Sequence, residues 1–406
     1  MTESQPLATV MKAEALLQQV RGKLGPDCRL YRAPGRVNLI GEHTDYNQGL
    51  VMPTAINRFT YAAAVPLSRK ELRLESREFE QSYTASLDAI RPAQGWGNYV
   101  LGMAAGLMQR GYELRGSRLQ IQSEIPFGAG LSSSAALEIS TGLAMLGTSQ
   151  TWPREGMDLV WAAHFSDHHF VGVLSGIMDQ FVSTYGRRGC ALLLDCRSLE
   201  WEPVPLPPDC DLVICNTGVR HALAGSEYNQ RRQECQAGVE CFQRRRPQVR
   251  SLRDVHEDDL QRWQADLPEV VFRRCRHIIT ENQRVIEARQ AFRDGNLYRL
   301  GELFAASHRS LRDDYEVSCA ELDAMVEAAE AAPGFVAGRM TGGGFGGCTV
   351  NLVHQPYTAE FIASVAATYA RLMGKKPDIW AVESANGGGE LTAQPGSQEL
   401  LIRAAT

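Results

Sequence analysis

Three stretches of the chain hold residue types that could do chemistry together. Glu42, His43 and Asp45 put two carboxylates and an imidazole within four residues, behind Gly41 and beside the apolar Val37, Leu39 and Ile40. Carboxylates accept several hydrogen bonds and a small polyol offers several hydroxyl donors, so this cluster suits a sugar better than it suits an ordinary surface loop. The second stretch is Pro126 to Leu137, with Gly128, Ala129, Gly130 and Leu131 followed by Ser132, Ser133 and Ser134. Glycines let a backbone approach a phosphate, a helix start offers free N–H groups, and serine hydroxyls bind oxygen or a hard cation. Read alone, the same loop would serve as a serine-rich cap on an ordinary helix. The third is Asp179, a carboxylate among Ile177, Met178, Phe181 and Val182. Aspartate is seldom left in such company unless paired or functional, so Asp179 is either a buried helix cap or a base near Arg36. Arg36 by itself would more often be a surface ion-pair partner.

The elements that must position these residues follow from the pattern. A first amphipathic helix carries Val10, Ala13, Leu17, Val20 and Leu24. Cys28 to Ala33 reads as a strand broken by Pro34-Gly35, and Val51–Ile56 and Phe59–Val65 read as a strand pair, continued by Leu72–Ser76. Leu119–Ile125 reads as the strand that enters the serine loop, and Ala135–Leu146 as the helix that leaves it. Trp96 and Tyr99 open a helix to about Arg110 and share a face, which favours core packing over a nucleobase pocket. Asp158–Phe170 reads as a helix with His164, Asp167 and His168 on one side. The His-x-x-x-His spacing lacks the glutamate of a zincin motif. Asp167 is more attractive as a magnesium ligand facing the serine loop, and an exposed helix charge is its plainer reading.

Further on, Gly186–Gly189 reads as a boundary, followed by strands at Cys190–Asp195 and Asp211–Asn216 and a charged helix from Ser226 to about Arg245. Helices fill Glu269–Arg293, Leu297–Leu311 and Cys319–Ala332. A last helix spans Ile362–Met373 and a last strand Ile379–Val382. Gly342 to Gly347 places five glycines in six positions and matches a dinucleotide fingerprint by letter. A strand-like run, Cys348–Val353, follows where that fingerprint needs a helix, so a close-approach loop beside the cleft fits better. Tyr228 reads as a packing or capping residue.

The 406 residues suggest two or three domains, and the net charge of −5 gives no general reason to expect nucleic acid or an anionic membrane as partner. Arg244–Arg246 and Arg273–Arg276 read as solvated helix faces. Ten cysteines without a Cys-x-x-Cys pair fit free thiols in a reducing compartment. Met1–Val10 lacks the pattern of a secretion signal, and no apolar run approaches membrane-spanning length. A cytoplasmic protein is expected.

Pro34–Ile40, Pro126–Ala135 and Thr341–Gly347 together, in this order, resemble the motifs of the GHMP small-molecule kinases. The longer run Gly35–Tyr46, with Gly176–Gln180 and Gly225–Tyr228, resembles the galactokinases within that family. The resemblance implies an α+β fold of two domains with the site between them. These would be a mixed sheet with helices over 8–185 and an antiparallel sheet with helices over 190–385, with a loose tail at 386–406. It implies ATP-dependent phosphorylation of D-galactose at the anomeric hydroxyl, with Mg2+, by a monomer. A kinase for N-acetylgalactosamine or another sugar, or a sugar- and ATP-sensing regulator without turnover, are the alternatives. It implies that Glu42, His43, Thr44, Asp45, Gly176 and Tyr228 bind the sugar and that Asp179 faces its C1 hydroxyl with Arg36 beside it. Gly128–Ser134 would wrap the phosphates, Trp96 and Tyr99 would flank the adenine, and Ser134 and Asp167 would hold magnesium. Asp167 stands where the family usually has glutamate, one methylene and roughly 1.5 Å longer. A water-bridged metal contact, or one made after a small helix shift, is therefore expected. Ser175 stands where cysteine is often found.

Overall fold

A computed structural model describes residues 4–79, 81–219 and 224–392. Among them the strands are β1 (Arg29–Asn38), β2 (Leu50–Val51), β3 (Pro53–Pro66), β4 (Glu71–Ser76), β5 (Ser82–Ser86) and β6 (Ser117–Ser123), then β7 (Cys190–Asp195), β8 (Trp201–Pro205), β9 (Cys210–Asn216), β10 (Phe335–Thr341), β11 (Cys348–His354), β12 (Asp378–Val382) and β13 (Gly389–Glu390). The helices are α1 (Ser4–Leu24), α2 (Gly97–Gln109), α3 (Ser133–Thr148), α4 (Gly156–Ser166), α5 (Met178–Tyr185), α6 (Ala224–Arg245), α7 (Glu257–Arg262), α8 (Glu269–Arg293), α9 (Leu297–Asp313), α10 (Ala320–Glu330) and α11 (Thr358–Met373).

The first sheet runs β13-β1-β3-β6-β4-β5 and is mixed, because β4 and β6 are parallel. Helices α2, α3 and α4 cover it through a core that includes Tyr31, Ala62, Leu101, Leu119 and Leu143. The second sheet, β10-β11-β9-β12, is antiparallel. Strand β9 shows why it is covered on both faces. Leu212 and Ile214 point into one core, which also takes Val37, Met52, Leu131 and Phe304. Their neighbours Val213 and Cys215 point into another, against Phe361 and Tyr369 of α11. Side chains alternate along a strand, so a run buried on both faces needs packing on both. A small third sheet, β2-β7-β8, joins the first half to the strands after residue 189.

Several local expectations change. β1 does not end at Pro34-Gly35 but continues through a register shift there, which Pro tolerates at a bulge. The two strands expected at Val51–Ile56 and Phe59–Val65 are mostly one long strand, β3, paired to β1 and β6. The helix expected to reach Phe170 gives way at Asp167 to a π-helical turn, Asp167–Val171. The segment after Asn386 is not all loose: β13 pairs with β1, and Glu390 forms an ion pair with Arg29. The rest of that tail, 393–406, lies outside the described residues, as do 1–3. Arg274 is not solvated; it is 2% exposed and bonds both Glu234 and Glu316. All ten cysteines are free thiols.

Candidate active site

The three glycine-bearing motifs meet. Arg36, at the end of β1, donates its backbone N–H to the Leu131 carbonyl (3.1 Å) and its Nη1 to the Gly130 carbonyl (2.6 Å). Gly342, just after β10, lies so close to the same loop that a Cβ there would stand 2.6 Å from the Gly130 carbonyl. Its φ of +84° is also one that side chains resist. So a first-sheet strand end, the serine loop and the second-sheet turn are held backbone against backbone.

Asp179, in the first turn of α5, sits at the junction. Arg36 grips it with two parallel bonds, Nε to Oδ1 and Nη2 to Oδ2, each 2.7 Å. Such a fork fixes a carboxylate in orientation as well as in charge. The Ser132 hydroxyl also donates to Oδ2. Ser132 is the N-cap of α3 in a left-handed conformation, and its side chain caps nothing. With that hydroxyl spent on Asp179, the first N–H groups of α3 keep their anion-binding capacity.

The sugar-type loop is pinned from outside by α8, which the sequence reading missed. His277 donates Nε2–H to the Glu42 carbonyl (3.1 Å), Glu281 accepts from the Gly41 N–H (2.9 Å), and Asn282 accepts from the Leu50 N–H (2.7 Å). What local signal exists is the i, i+4 spacing of His277 and Glu281 beside the buried apolar Ile278 and Val285, and it names no partner. Burial works against the Glu281 carboxylate, yet the charges of Arg284, His277 and Arg339 with the Ser307 bond hold it down to about 2.

A cavity of about 150 Å³ opens at this junction. Arg36, Glu42, His43, Asp45, Ser134, Asp167, Gly176, Asp179 and Tyr228 all line it. Tyr99, Ser175 and Gly343 line it as well. Thr44 does not: its hydroxyl bonds the Gly41 and Leu50 carbonyls and closes the loop. Trp96 does not either. It packs against Phe79 and Tyr83 in the first-sheet core, against which Tyr99 also packs, the core role that their spacing favoured. Leu131 is core, and Ser133 is half-buried at the helix start. Glu42 is engaged more than expected. It accepts from the Gly342 N–H (2.7 Å) and Asn38 Nδ2 (3.0 Å), with the buried Arg339 beside it, and so ties the loop to the second sheet.

Gly176 explains itself by Asp45: a Cβ there would stand 2.1 Å from Asp45 Oδ2. Burial, with the Asp179 charge adding to it, lifts Asp45 to about 7. Burial does the same for Asp167, against bonds from Ser175 (2.6 Å) and Gln180 (2.7 Å) to its Oδ2. Burial also drives His43 down to about 3, so its ring is neutral. Glu138, one helical turn after Ser134, was not singled out in the sequence. It is fully buried, its carboxyl oxygens make no hydrogen bond of ordinary geometry among the described residues, and burial raises it well above the usual range. The rings of His164 and His168 lie 4.0 Å apart and tilted to one another, but no group of three metal-ligating side chains occurs among the described residues.

A helix start stripped of its cap and facing a polar cavity across an Asp–Arg fork is the layout of a small-molecule kinase. Residues 98–187 and 288–371 match the models for the GHMP kinases N terminal domain and GHMP kinases C terminal, and 18–66 match the galactokinase galactose-binding signature. The mevalonate kinase of Methanococcus jannaschii shares this fold at a TM-score of 0.64 and 17% identity, over 89% of this chain and 99% of its own. Within that class the chain belongs to the galactokinase family. A galactokinase of Chloroflexus aggregans is 47% identical over 86% of this chain and 90% of its own length. The crystal structure of Lactococcus lactis galactokinase complexed with galactose superposes with a TM-score of 0.89 at 36% identity, covering 93% of this chain and all of that one. Among the described residues no helix is long and apolar enough to cross a membrane.

Proposed function

We propose that this chain transfers the γ-phosphoryl group of ATP to the C1 hydroxyl of D-galactose, giving galactose 1-phosphate and ADP. The observation that carries the reading is the position of Asp179, which lines one cavity with Glu42, His43 and Asp45 and accepts the Ser132 hydroxyl at the helix start. Glu42, His43, Asp45, Gly176 and Tyr228 then hold the sugar, with Asp179 against its anomeric hydroxyl. The Gly128–Ser134 backbone and the start of α3 take the phosphates, as an anion at a helix N-terminus requires. Phosphoryl transfer asks the protein mainly to position reactants and to neutralise charge. Asp179 orients the hydroxyl and accepts its proton, while Arg36 keeps the carboxylate from swinging away.

Ser134 and Asp167 would hold Mg2+. A hydroxyl and a carboxylate facing one cavity are the hard oxygen donors that magnesium takes, and two protein ligands suffice where phosphates and water complete the shell. Bound there, the ion would neutralise phosphate charge. Trp96, behind Phe79 and Phe127 of the serine loop, supports the nucleotide side of the cleft through packing, and Tyr99 lines the cavity near Asp167. The residues named for sugar, phosphate and magnesium all lie on one chain, which agrees with a monomer as the working unit, and ten free thiols support a reducing, cytoplasmic setting. Coupled ADP release over a panel of sugars tests the reading. Galactose should be turned over and N-acetylgalactosamine should lag far behind; sugar binding without ADP release would mark a sensor instead.

A further inference from the structure

His43 lines the cavity, and its Nδ1 meets a buried chain of hydroxyls. His43 Nδ1 lies 2.9 Å from Tyr46 Oη, Tyr46 Oη lies 2.7 Å from Tyr315 Oη, and Cys235 Sγ lies 3.1 Å from Tyr315 Oη. The chain thus runs from the sugar-type loop, through the turn after α9, to α6. Tyr315 is fully buried, and its ring lies between the rings of His43 (4.8 Å) and His277 (4.6 Å). His43 holds a backbone φ of +64°, and Asn47 Nδ2 bonds its carbonyl, so ring and backbone are both constrained. Its Nε2 is buried without a hydrogen bond of ordinary geometry among the described residues, although the Gly343 backbone is near enough to favour a ring N–H.

We infer that Tyr315, acting through Tyr46, is a positioning residue that fixes the His43 tautomer with the proton on Nε2, so that this edge donates to an oxygen of the sugar. A neutral imidazole carries one N–H and one acceptor, and the bond made by the first nitrogen decides what the second can do. Two proton orders are open to the chain. In one, Cys235 donates to Tyr315, Tyr315 to Tyr46, and Tyr46 to Nδ1. In the other, every bond is reversed. The first order sets a phenol O–H against the imidazole nitrogen, the strongest acceptor of the four groups. The second sets it against a sulfur, the weakest. Hydrogen bonds in a buried chain also reinforce one another, so the order at one end is felt at the other. The sugar role of His43 rests on the function proposed above; the tautomer does not.

Tyr315→Phe removes the hydroxyl and keeps the ring. Nitrogen-15 NMR of the His43 ring in the free protein reads the tautomer directly, whether or not any sugar is turned over. The wild type should show the proton on Nε2, and Tyr315→Phe should show a mixture. KM for galactose should rise about tenfold in Tyr315→Phe with kcat within about twofold, because binding is lost equally in ground and transition states. In a Tyr46→Phe background the second substitution should add nothing, which a purely structural role of Tyr315 would not produce. Cys235→Ser, which keeps a donor at the chain end, should keep the wild-type tautomer. A wild-type proton on Nδ1, or a Tyr315→Phe protein with the wild-type ring signals, overturns the inference. If galactose proves not to be a substrate, the proposed function fails while the NMR result still decides this point.

Discussion

At Asp45, burial and the neighbouring Asp179 charge favour the protonated form, whereas the unfolded chain lets the same group ionise near 3.8. The folded state therefore binds the extra proton between about pH 4 and the raised value near 7. Stability from this group is full at low pH and is lost as pH rises towards 7, by about 1.4 kcal/mol per pH unit at most. Urea unfolding of the sugar-free protein at pH 5 and pH 7 should show the pH 7 form weakened. Asp45→Asn should shrink that gap by on the order of 1–2 kcal/mol; an unchanged gap would mean that Asp45 ionises normally. Asp167 makes its prediction through magnesium. Asp167→Glu restores the longer reach and should keep activity, and Asp167→Ala should raise the magnesium concentration needed for half-maximal rate about tenfold or more. An unaltered magnesium dependence in Asp167→Ala would remove it from the metal site.

Among the elements, the Gly342 turn and the serine loop lie backbone against backbone, with no room for a side chain between them. Gly342→Ala must move one of two backbones and adopt a resisted φ, so it should cost about 1–3 kcal/mol of stability and raise KM for ATP. Gly343→Ala meets nothing closer than Tyr228 at 3.8 Å and should fold as the wild type does. Equal melting temperatures for the two variants would deny that contact. The sequence made much of this site readable, because Glu42, His43, Asp45, Asp179 and the serines are polar residues set against apolar runs. What it hid were partners made by tertiary contact. Nothing local to His277, Glu281 or Tyr315 says that they face residues 41–50, more than two hundred positions away. Likewise Thr44 has the right type for a site, and only its bonds to the Gly41 and Leu50 carbonyls turn it inward. Pro34-Gly35 looked like a strand end because a bulge and a break share the same residues.

At the scale of the molecule, the halves are interlocked rather than strung in line. Glu42 and Arg339 tie the first loop to the second sheet, β7 and β8 extend a sheet begun by β2, and β13 returns to β1. That return escaped the sequence reading because two residues among glycines carry no periodic signal. On the function proposed above, the sugar and phosphate sites would share one wall, with Asp179 at the seam. The most direct measurement is therefore Asp179→Asn, read two ways on the same preparation: kcat for galactose phosphorylation, and galactose affinity by calorimetry. The account predicts that kcat falls at least about 100-fold while the dissociation constant stays within about threefold. Equal losses in both, or a rate that survives, would contradict it.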